Sequence, residues 1–176
     1  MDRAKLLFRV HRASRRSWWF SSDGAGRFDL VGVPGRGTCY VAEEPLGAFV
    51  EVFRDVTLID EQDVQRRKLS RLRLPRLAVV ADCTRAAARA FGITAALHAS
   101  ESYALTQRWA RAFAAAGFAG IRYRVSHDPA QRLLGIALFG PRGRASWPVA
   151  GTGPIPASLC DEAERRFGLR VLPPPA

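Results

Sequence analysis

The stretch GRFDLVGVPGRGTCYVAEEPLGAFVE, from Gly26 to Glu51, decides the fold, because it joins a glycine turn, a strand and a helix within a short length of chain. Thr38 to Ala42 is a short apolar run that predicts a strand. A helix is predicted to begin near Glu44, with Pro45 in its first turn, where the missing N–H costs nothing. The stretch therefore predicts strand-to-helix architecture at the centre of the chain.

Three residues of this stretch have side chains suited to binding or catalysis. Arg27 follows a glycine turn, Tyr40 lies within the apolar strand, and Glu51 borders the apolar stripe of the following helix. The stripe has helical spacing and consists of Leu46, Phe49, Val50 and Phe53. A cation, an aromatic ring and a carboxylate in one neighbourhood suit a ligand that is anionic, aromatic and rich in hydroxyls, and a nucleotide has all three properties.

Short apolar or alternating segments on either side of this stretch predict further strands. They are residues 6–12, 77–81, 121–125, 133–139 and 169–172. In the first of them, Phe8 and Val10 are expected on one face, and Arg9 and His11 on the other, so that Arg9 would point away from the core. The segment 14–22 holds Trp18, Trp19 and Phe20, which predicts either the rim of a pocket or a hydrophobic latch over the core.

Helices are predicted over four further segments, at residues 58–74, 86–91, 101–116 and 157–167. The first is basic and amphipathic, with an acidic beginning, and Pro75 ends it. The third is expected to be capped by Ser100 and to bury a face made of Leu105, Trp109, Ala112 and Phe113. Residues 141–156 are rich in turn-forming residues and predict a loop.

Length and composition restrict the class of protein. The chain has 176 residues, of which 48% are hydrophobic, so one domain over residues 1–176 with one well-filled core is expected. No run approaches the roughly 20 apolar residues of a membrane span, and the N-terminal apolar stretch is too short for a signal peptide. A cytoplasmic location is predicted by default.

The net charge of +11 raises the alternative of a nucleic-acid or partner-binding module. All but two of the 27 basic residues are arginines, however, and they are scattered through nearly every segment. This scatter indicates a compositional bias, and direct binding of nucleic acid is not expected.

Cys39, Cys83 and Cys160 lie far apart and lack the close spacing of zinc ligands, so free thiols and no metal are predicted. Ser126 and His127 are neighbours at a strand end and would point to opposite faces, which argues against a hydrolase triad. The glycines match neither the dinucleotide fingerprint G-x-G-x-x-G nor the phosphate loop G-x-x-x-x-G-K-[ST]. Any nucleotide site therefore uses a different construction.

Several motifs occur in a fixed order along the chain: FRV near the N-terminus, GRFD, GTCYVA with a glutamate in the next helix, GIRYRVS and GIALFG. Together they resemble the RES domain family, which is named for an arginine, a glutamate and a serine. On this resemblance Arg27 matches the family arginine, Glu51 the glutamate and Ser126 the serine. Tyr40 matches the active-site tyrosine, and Arg9 matches an earlier arginine.

The resemblance implies an α/β (α+β) fold similar to that of the ADP-ribosyltransferases, with a mixed, split β-sheet flanked by helices that holds NAD as a substrate in a cleft. Characterised members are toxins of bacterial toxin–antitoxin pairs that degrade NAD by hydrolysis or phosphorolysis, and some ADP-ribosylate a protein. Their usual partner is an antitoxin with an Xre-type DNA-binding domain. The resemblance therefore implies such an antitoxin as partner, and it leaves open whether the chain forms a homo-oligomer.

The side chains of these residues also suggest how NAD would be cleaved. Cleavage of the nicotinamide–ribose bond passes through an oxocarbenium-like state, which the Glu51 carboxylate would stabilise. Arg9 and Arg27 would hold the pyrophosphate, Tyr40 would stack on the nicotinamide, and Ser126 would donate or accept a hydrogen bond nearby.

Taken singly, the same residues have ordinary structural interpretations. Glu51 would be a surface glutamate, Arg27 would pair with Asp23 or Asp29, Tyr40 would be a core residue and Ser126 would cap a turn.

Overall fold

The computed structural model describes residues 1–100 and 102–173. Its strands, in chain order, are β1 (Leu7–Arg12), β2 (Trp19–Phe20), β3 (Arg36–Ala42), β4 (Leu58–Asp60), β5 (Arg67–Leu72), β6 (Ala81–Asp82), β7 (Gly120–Arg124), β8 (Leu134–Pro141), β9 (Gly143–Arg144), β10 (Val149–Gly153) and β11 (Arg170–Leu172). Its α-helices are α1 (Pro45–Phe53), α2 (Glu61–Gln65), α3 (Ala96–Ala99), α4 (Tyr103–Ala115) and α5 (Ala157–Phe167), and a 3-10 helix spans Ala86–Phe91.

Seven of the strands form one sheet in the order β10-β5-β1-β3-β8-β7-β6. In the described part of the chain, β6 and β7 are the only neighbours in this sheet that pair in parallel. The other neighbours pair antiparallel, so the sheet is mixed. β3 pairs with β8 along its whole length, whereas β1 and β3 pair at a single position, Phe8 with Ala42. The sheet is therefore split between β1 and β3, which confirms the predicted fold class.

The segment that follows β1 closes part of this split. β2 pairs with β9, and Ser21 forms a bridge to Thr38 on the edge of β3 that faces the split. Trp18 and Phe20 are buried and pack with Trp147 at centroid distances of 5.0 and 4.9 Å. Trp19, which lies between them, is half-buried and faces the other way. The segment therefore forms both the hydrophobic latch and the rim of a pocket.

Helix α1 packs on β1, β3 and β8, α5 packs on α1, and α4 packs on β7. The side chains that share a core with α1 include Phe8 and Val10 of β1, which confirms their predicted common face. In α1, Glu44 is the N-cap residue and Pro45 occupies the first turn, as predicted. The predicted apolar stripe of α1 is buried and consists of Leu46, Phe49, Val50 and Phe53.

A hydrogen-bonded ion pair fixes the start of α1 against the sheet. Glu43 lies between β3 and α1, and Arg122 of β7 contacts both of its carboxylate oxygens, at 2.6 and 3.2 Å. Lys5 contacts the same carboxylate at 2.7 Å. Because such bidentate contacts set direction as well as distance, they orient the helix that follows.

The predicted basic helix over 58–74 was wrong. This segment forms β4, the short α2 and the strand β5, which pairs with β1 on one side and with the edge strand β10 on the other. Asp60 caps α2 by accepting from the backbone N–H of Gln62 at 2.7 Å. Leu69 and Leu72 have helical spacing, but in β5 they face opposite sides of the sheet and pack in different core clusters. Pairing with β1 and β10 decided in favour of the strand.

Three other predictions need correction. Residues 141–156 are not a loop throughout, because they contain β9 and β10. In the segment 77–81 only Ala81 joins a strand, since Leu77 and Val79 are 71% and 65% exposed at the border of the sheet. In α4, Leu105 is 51% exposed, and the fully buried positions are Thr106 and Ala110.

The remaining helices follow the sequence pattern closely. The short helix at 86–91 is a 3-10 helix that ends at Gly92 with a left-handed φ of 78°. The predicted start of α4 near Glu101 lies outside the described residues, and the described helix begins at Tyr103. Its N-cap position is occupied by Ser102, whereas Ser100 was expected there. Helix α5 has the bounds that were predicted.

Candidate active site

A cavity of about 330 Å³ lies in the split between β1 and β3, and we call it the split-sheet cavity. Its walls come from β1, the segment 15–29, β3, α1 and the region at the end of β7. The five residues singled out in the sequence all line it: Arg9, Arg27, Tyr40, Glu51 and Ser126. Residues from distant parts of the chain are therefore brought to one concave site.

Glu51 lies on the cavity side of α1, and its side chain is 18% exposed. The nearest cation is Arg54, whose Nη1 is 3.6 Å from Glu51 Oε2. Burial raises the pKa of the Glu51 carboxyl, while Arg54, the Tyr123 hydroxyl and Arg27 act in the opposite direction. Glu51 is thus not an ordinary surface glutamate, because it is a carboxylate held in a cavity by cations and a hydroxyl.

Arg27 is anchored by the loop before α4. Its guanidinium donates to the carbonyl of Ser100, and its Cζ lies 5.0 Å from the centroid of the Tyr103 ring. Its own carbonyl accepts from the hydroxyl of Thr106 at 2.6 Å. Within the described part of the chain, Arg27 pairs with neither Asp23 nor Asp29, so the structural interpretation of this arginine was wrong.

Tyr40 is held by the GRFD turn. Its hydroxyl accepts from the backbone N–H of Phe28 at 2.8 Å and donates to Asp29 Oδ1 at 2.9 Å. Asp29 Oδ2 accepts from the backbone N–H groups of Gly24 and Gly26 at 3.1 and 3.0 Å. A Cβ at Gly26 would lie only 2.5 Å from Asp29 Oδ1, which explains the glycine. The hydroxyl of Tyr40 is therefore occupied, and the ring is a fixed wall.

Asp29 is the buried acid of this turn and is 1% exposed. Burial raises its pKa to about 6, although the hydrogen bonds from Gly26 and Tyr40 act to lower it. The pKa of the Tyr40 hydroxyl is also raised, well above its ordinary value, mainly by burial and then by the charge of Asp29. Tyr40 consequently stays a neutral hydrogen-bond donor.

Arg9 and Ser126 complete the set. Arg9 donates from Nη1 to the carbonyl of Ser17 at 2.6 Å and thereby ties β1 to the segment that closes the split. Ser126 follows β7 and faces the split-sheet cavity, whereas His127 lines a neighbouring cavity. The expectation that these two neighbours cannot pair is confirmed. Asp128 orders the turn by accepting from the backbone N–H groups of Arg132 and Leu133 at 2.6 and 2.8 Å.

Several lining residues were not identified from the sequence. Tyr123 is 3% exposed, and the charge of Glu51 contributes, after burial, to raising the pKa of its hydroxyl. The strand alternation in GIRYRVS places Tyr123 with Ile121 on the inner face, and this signal could have found it. Arg54 lies three residues after Glu51 on the same helical face, which the helical period also indicates. Segment 14–22 was expected to form a pocket rim or a latch, but the sequence did not show that Arg15 and Trp19 are the residues that face the cavity.

Within residues 1–100 and 102–173, no group of three or more His, Cys, Asp and Glu side chains lies close enough to share a metal ion. Nor does any described helix combine the length and the apolar character that a bilayer crossing requires. Cys39 and Cys83 are buried free thiols, and Cys160 is a half-buried one.

Comparison with known proteins identifies relatives at the level of family and fold. A solved structure, the M. tuberculosis MbcT-MbcA toxin-antitoxin complex, contains a chain that superposes with a TM-score of 0.68 at 18% identity, over 90% of this chain and 87% of that one. Curated protein sequences give no significant match. The model of the RES domain matches residues 6–157, which is most of the chain. The protein therefore belongs to the RES domain family.

Proposed function

We propose that the protein is an NAD-consuming enzyme that cleaves the bond between nicotinamide and ribose. The observation that carries this proposal is the position of the Glu51 carboxylate in the split-sheet cavity, together with Arg9, Arg27, Tyr40 and Ser126. A carboxylate, two guanidiniums and an aromatic wall match the anionic, cationic and flat parts of a dinucleotide. Membership in the RES domain family supports the same substrate.

Glu51 acts on the developing positive charge. As the nicotinamide leaves, the ribose acquires oxocarbenium character at its anomeric carbon, and a nearby carboxylate stabilises it. The same carboxylate accepts a hydrogen bond from a ribose hydroxyl. Nicotinamide departs as a neutral molecule, so the step requires no general acid. Arg54 at 3.6 Å opposes the rise that burial causes in the pKa of Glu51.

The other residues bind and orient the substrate. Arg9 and Arg27 donate planar pairs of N–H groups to the pyrophosphate. Tyr40, whose hydroxyl is held by Asp29 and Phe28, offers its ring to the nicotinamide. Ser126 supplies a hydroxyl to the nicotinamide ribose or to an adjacent phosphate.

The acceptor of the ADP-ribose group is water or phosphate in the preferred form of the proposal. Transfer to a protein is the second candidate, and one observation favours keeping it. A neighbouring cavity of about 720 Å³ shares Arg54 and Asp55 with the split-sheet cavity and opens beside His127. An acceptor larger than water would therefore have room beside Arg54, the residue that pairs with Glu51.

The biological role that we propose is that of the toxin in a bacterial toxin–antitoxin pair acting in the cytoplasm. The similarity in fold to a chain of the MbcT-MbcA toxin-antitoxin complex supports this role. The expected partner is an antitoxin of the Xre type, as the family resemblance implies.

A direct assay tests the enzymatic proposal. Purified protein is incubated with NAD in the presence and absence of phosphate, and nicotinamide, ADP-ribose and phosphorylated ADP-ribose are quantified. Release of nicotinamide by the wild-type chain and not by Glu51→Ala supports the proposal. Absence of nicotinamide release from folded protein, free of any bound partner and supplied with phosphate and a protein acceptor, contradicts it.

A further inference from the structure

Trp19 and Arg15 form a flat aromatic and cationic pair at the rim of the split-sheet cavity, and none of the roles described above uses them. Both residues line the cavity, and Arg15 Cζ lies 5.7 Å from the centroid of the Trp19 ring. Trp19 is half-buried, whereas its neighbours Trp18 and Phe20 are completely enclosed in the core. Because successive strand residues face opposite ways, the burial of those neighbours forces the Trp19 indole toward the cavity.

The segment that carries this pair is anchored on both sides of the split. Arg9 of β1 binds the carbonyl of Ser17, and the backbone of Ser21 exchanges hydrogen bonds with Thr38 of β3 at 2.9 and 2.6 Å. Trp19 itself pairs with Arg144 of β9. The indole is therefore held on a fixed backbone, so its position does not have to be ordered when a ligand binds.

The pair lies at the opposite end of β3 from Glu51. The segment of Trp19 meets β3 at Thr38. Tyr123, whose hydroxyl acts on Glu51, pairs with Gly135 of β8, which in turn pairs with Ala42 of β3. Four strand residues separate these points, which corresponds to about 13 Å. The cavity is thus elongated, with a carboxylate at one end and an aromatic–cationic pair at the other.

The charges at the two ends differ in a way that fits a dinucleotide. The Glu51 end suits the nicotinamide ribose, where positive charge develops. At the other end Arg9 and Arg15 supply guanidiniums, and Asp23 adds a carboxylate that can accept from a ribose hydroxyl or an exocyclic amine. Hydrogen bonding by Ser21 and by the backbone of Ala25 lowers the pKa of Asp23, which therefore remains an acceptor at neutral pH.

We propose that Trp19 and Arg15 form the subsite for the adenosine half of the substrate, with the indole as the stacking surface for the purine and the guanidinium as a donor to the adjacent phosphate. This inference rests on the proposed cleavage of NAD, and it extends it by naming the residues that distinguish a dinucleotide from a mononucleotide. Stacking on an aromatic side chain and a contact to a guanidinium are the interactions by which proteins hold bases.

The test compares NAD with nicotinamide mononucleotide, which has the same scissile bond but lacks the adenosine half. We expect Trp19→Ala and Arg15→Ala to raise KM for NAD about ten-fold with little change in kcat. For nicotinamide mononucleotide the same variants should change KM by less than about two-fold. Trp19→Phe, which keeps an aromatic face, should have a KM for NAD close to that of the wild-type chain. Arg16→Ala is the matched control, since Arg16 is exposed and does not line the cavity.

Binding of AMP, measured by calorimetry, separates this inference from the proposed reaction. If the wild-type chain turns over NAD but Trp19→Ala alters KM equally for both substrates or for neither, the subsite is wrong and the reaction stands. If the wild-type chain binds AMP and Trp19→Ala does not, while the wild-type chain releases no nicotinamide from NAD, the subsite stands and the reaction is wrong. Absence of AMP binding to the wild-type chain, with no difference between the two substrates, overturns the subsite.

Discussion

Two opposing effects act on the pKa of Glu51 in the split-sheet cavity. Burial favours its neutral form, while Arg54, Tyr123 and Arg27 favour the carboxylate. The balance leaves the pKa of Glu51 above its ordinary value of 4.5, and the group is still close to a cation. A carboxylate with these surroundings is suited to stabilising a transient positive charge, since little water competes for it.

Replacing Glu51 by glutamine is predicted to abolish turnover of NAD and to preserve the fold. We expect a loss in kcat of about 100-fold or more, since an amide cannot stabilise the developing cation. The raised pKa means that the folded chain binds this proton more tightly than the unfolded chain does, so the charge at neutral pH lowers stability. Glu51→Gln should therefore unfold at the same temperature as the wild-type chain or slightly higher. A large decrease in Tm would indicate a structural role instead.

Arg54 is predicted to set the acidic limit of activity. Because the reaction requires ionised Glu51, activity should fall as pH decreases through the raised pKa of that group, at a pH above 4.5. Arg54→Gln removes the largest influence that lowers this pKa, so the acidic limb of the kcat/KM profile should move to higher pH.

Arg166→Gln is the control for this pH profile. Arg166 lines the neighbouring cavity and pairs with Glu162 at 2.9 Å, so its loss should leave the profile in place. An unshifted profile in Arg54→Gln would contradict the assignment of Glu51 as the titrating group.

At the scale of elements, β8 and β7 position the inner wall of the cavity. Gly135 of β8 pairs with Tyr123 of β7, and a Cβ at Gly135 would lie 2.5 Å from Tyr123 Cζ. The Tyr123 ring also packs on Phe28, with a centroid distance of 5.0 Å. The ring is therefore enclosed by Gly135 on one side and by Phe28 on the other.

Gly135→Ala is predicted to lower both stability and turnover, because the added methyl group displaces the Tyr123 ring next to Glu51. We expect a loss of about 1–3 kcal/mol in the free energy of unfolding, measured with a chemical denaturant. Gly153→Ala in β10 is the matched control, since a Cβ there meets no atom within 4 Å. Equal stability of the two variants would show that Tyr123 can move away.

The pattern of correct and incorrect element predictions follows from what each element depends on. The start and the apolar stripe of α1, and both ends of α5, were predicted accurately, because these signals are local. Strands β5 and β10, which pair with each other at the border of the sheet, were not predicted. Their residues carry few local signals, and their strand form is stabilised by hydrogen bonds to partners far away in the chain.

At the scale of the whole molecule, the split-sheet cavity separates two halves of the sheet that are joined by a single pair, Phe8 with Ala42. One half contains β10, β5 and β1, and the other contains β3, β8, β7 and β6. A ligand in this cavity would contact Arg9 on one half and Tyr40 on the other. Binding should therefore stabilise the molecule as a unit.

We predict that NAD raises the Tm of Glu51→Gln, a variant that should bind the dinucleotide without consuming it. At a concentration 100 times Kd the stabilisation is about 2.7 kcal/mol, which corresponds to an increase of about 5–10 °C for a chain of this size. Free nicotinamide, which would fill one end of the cavity, should give a smaller increase at equal concentration. Identical unfolding curves with and without saturating NAD would contradict binding across the split.

The sequence by itself determined the local elements and the chemical identity of the proposed site. The turn, strand and helix from Gly26 to Glu51 are encoded by a glycine, an apolar run, a proline and a helical stripe, all of which act over a few residues. The ordered motifs also indicated the RES domain family, to which the chain belongs.

Only the tertiary structure decided which strands pair, where the sheet splits, and which further residues reach the cavity. Arg9, Trp19, Glu51 and Ser126 come from separate segments, and they meet because β1 and β3 diverge after one shared pair. Burial, which raises the pKa values of Glu51 and Asp29, likewise exists only after those segments have packed. The physical reason is that strand pairing and desolvation depend on contacts between distant residues, which local sequence patterns do not encode.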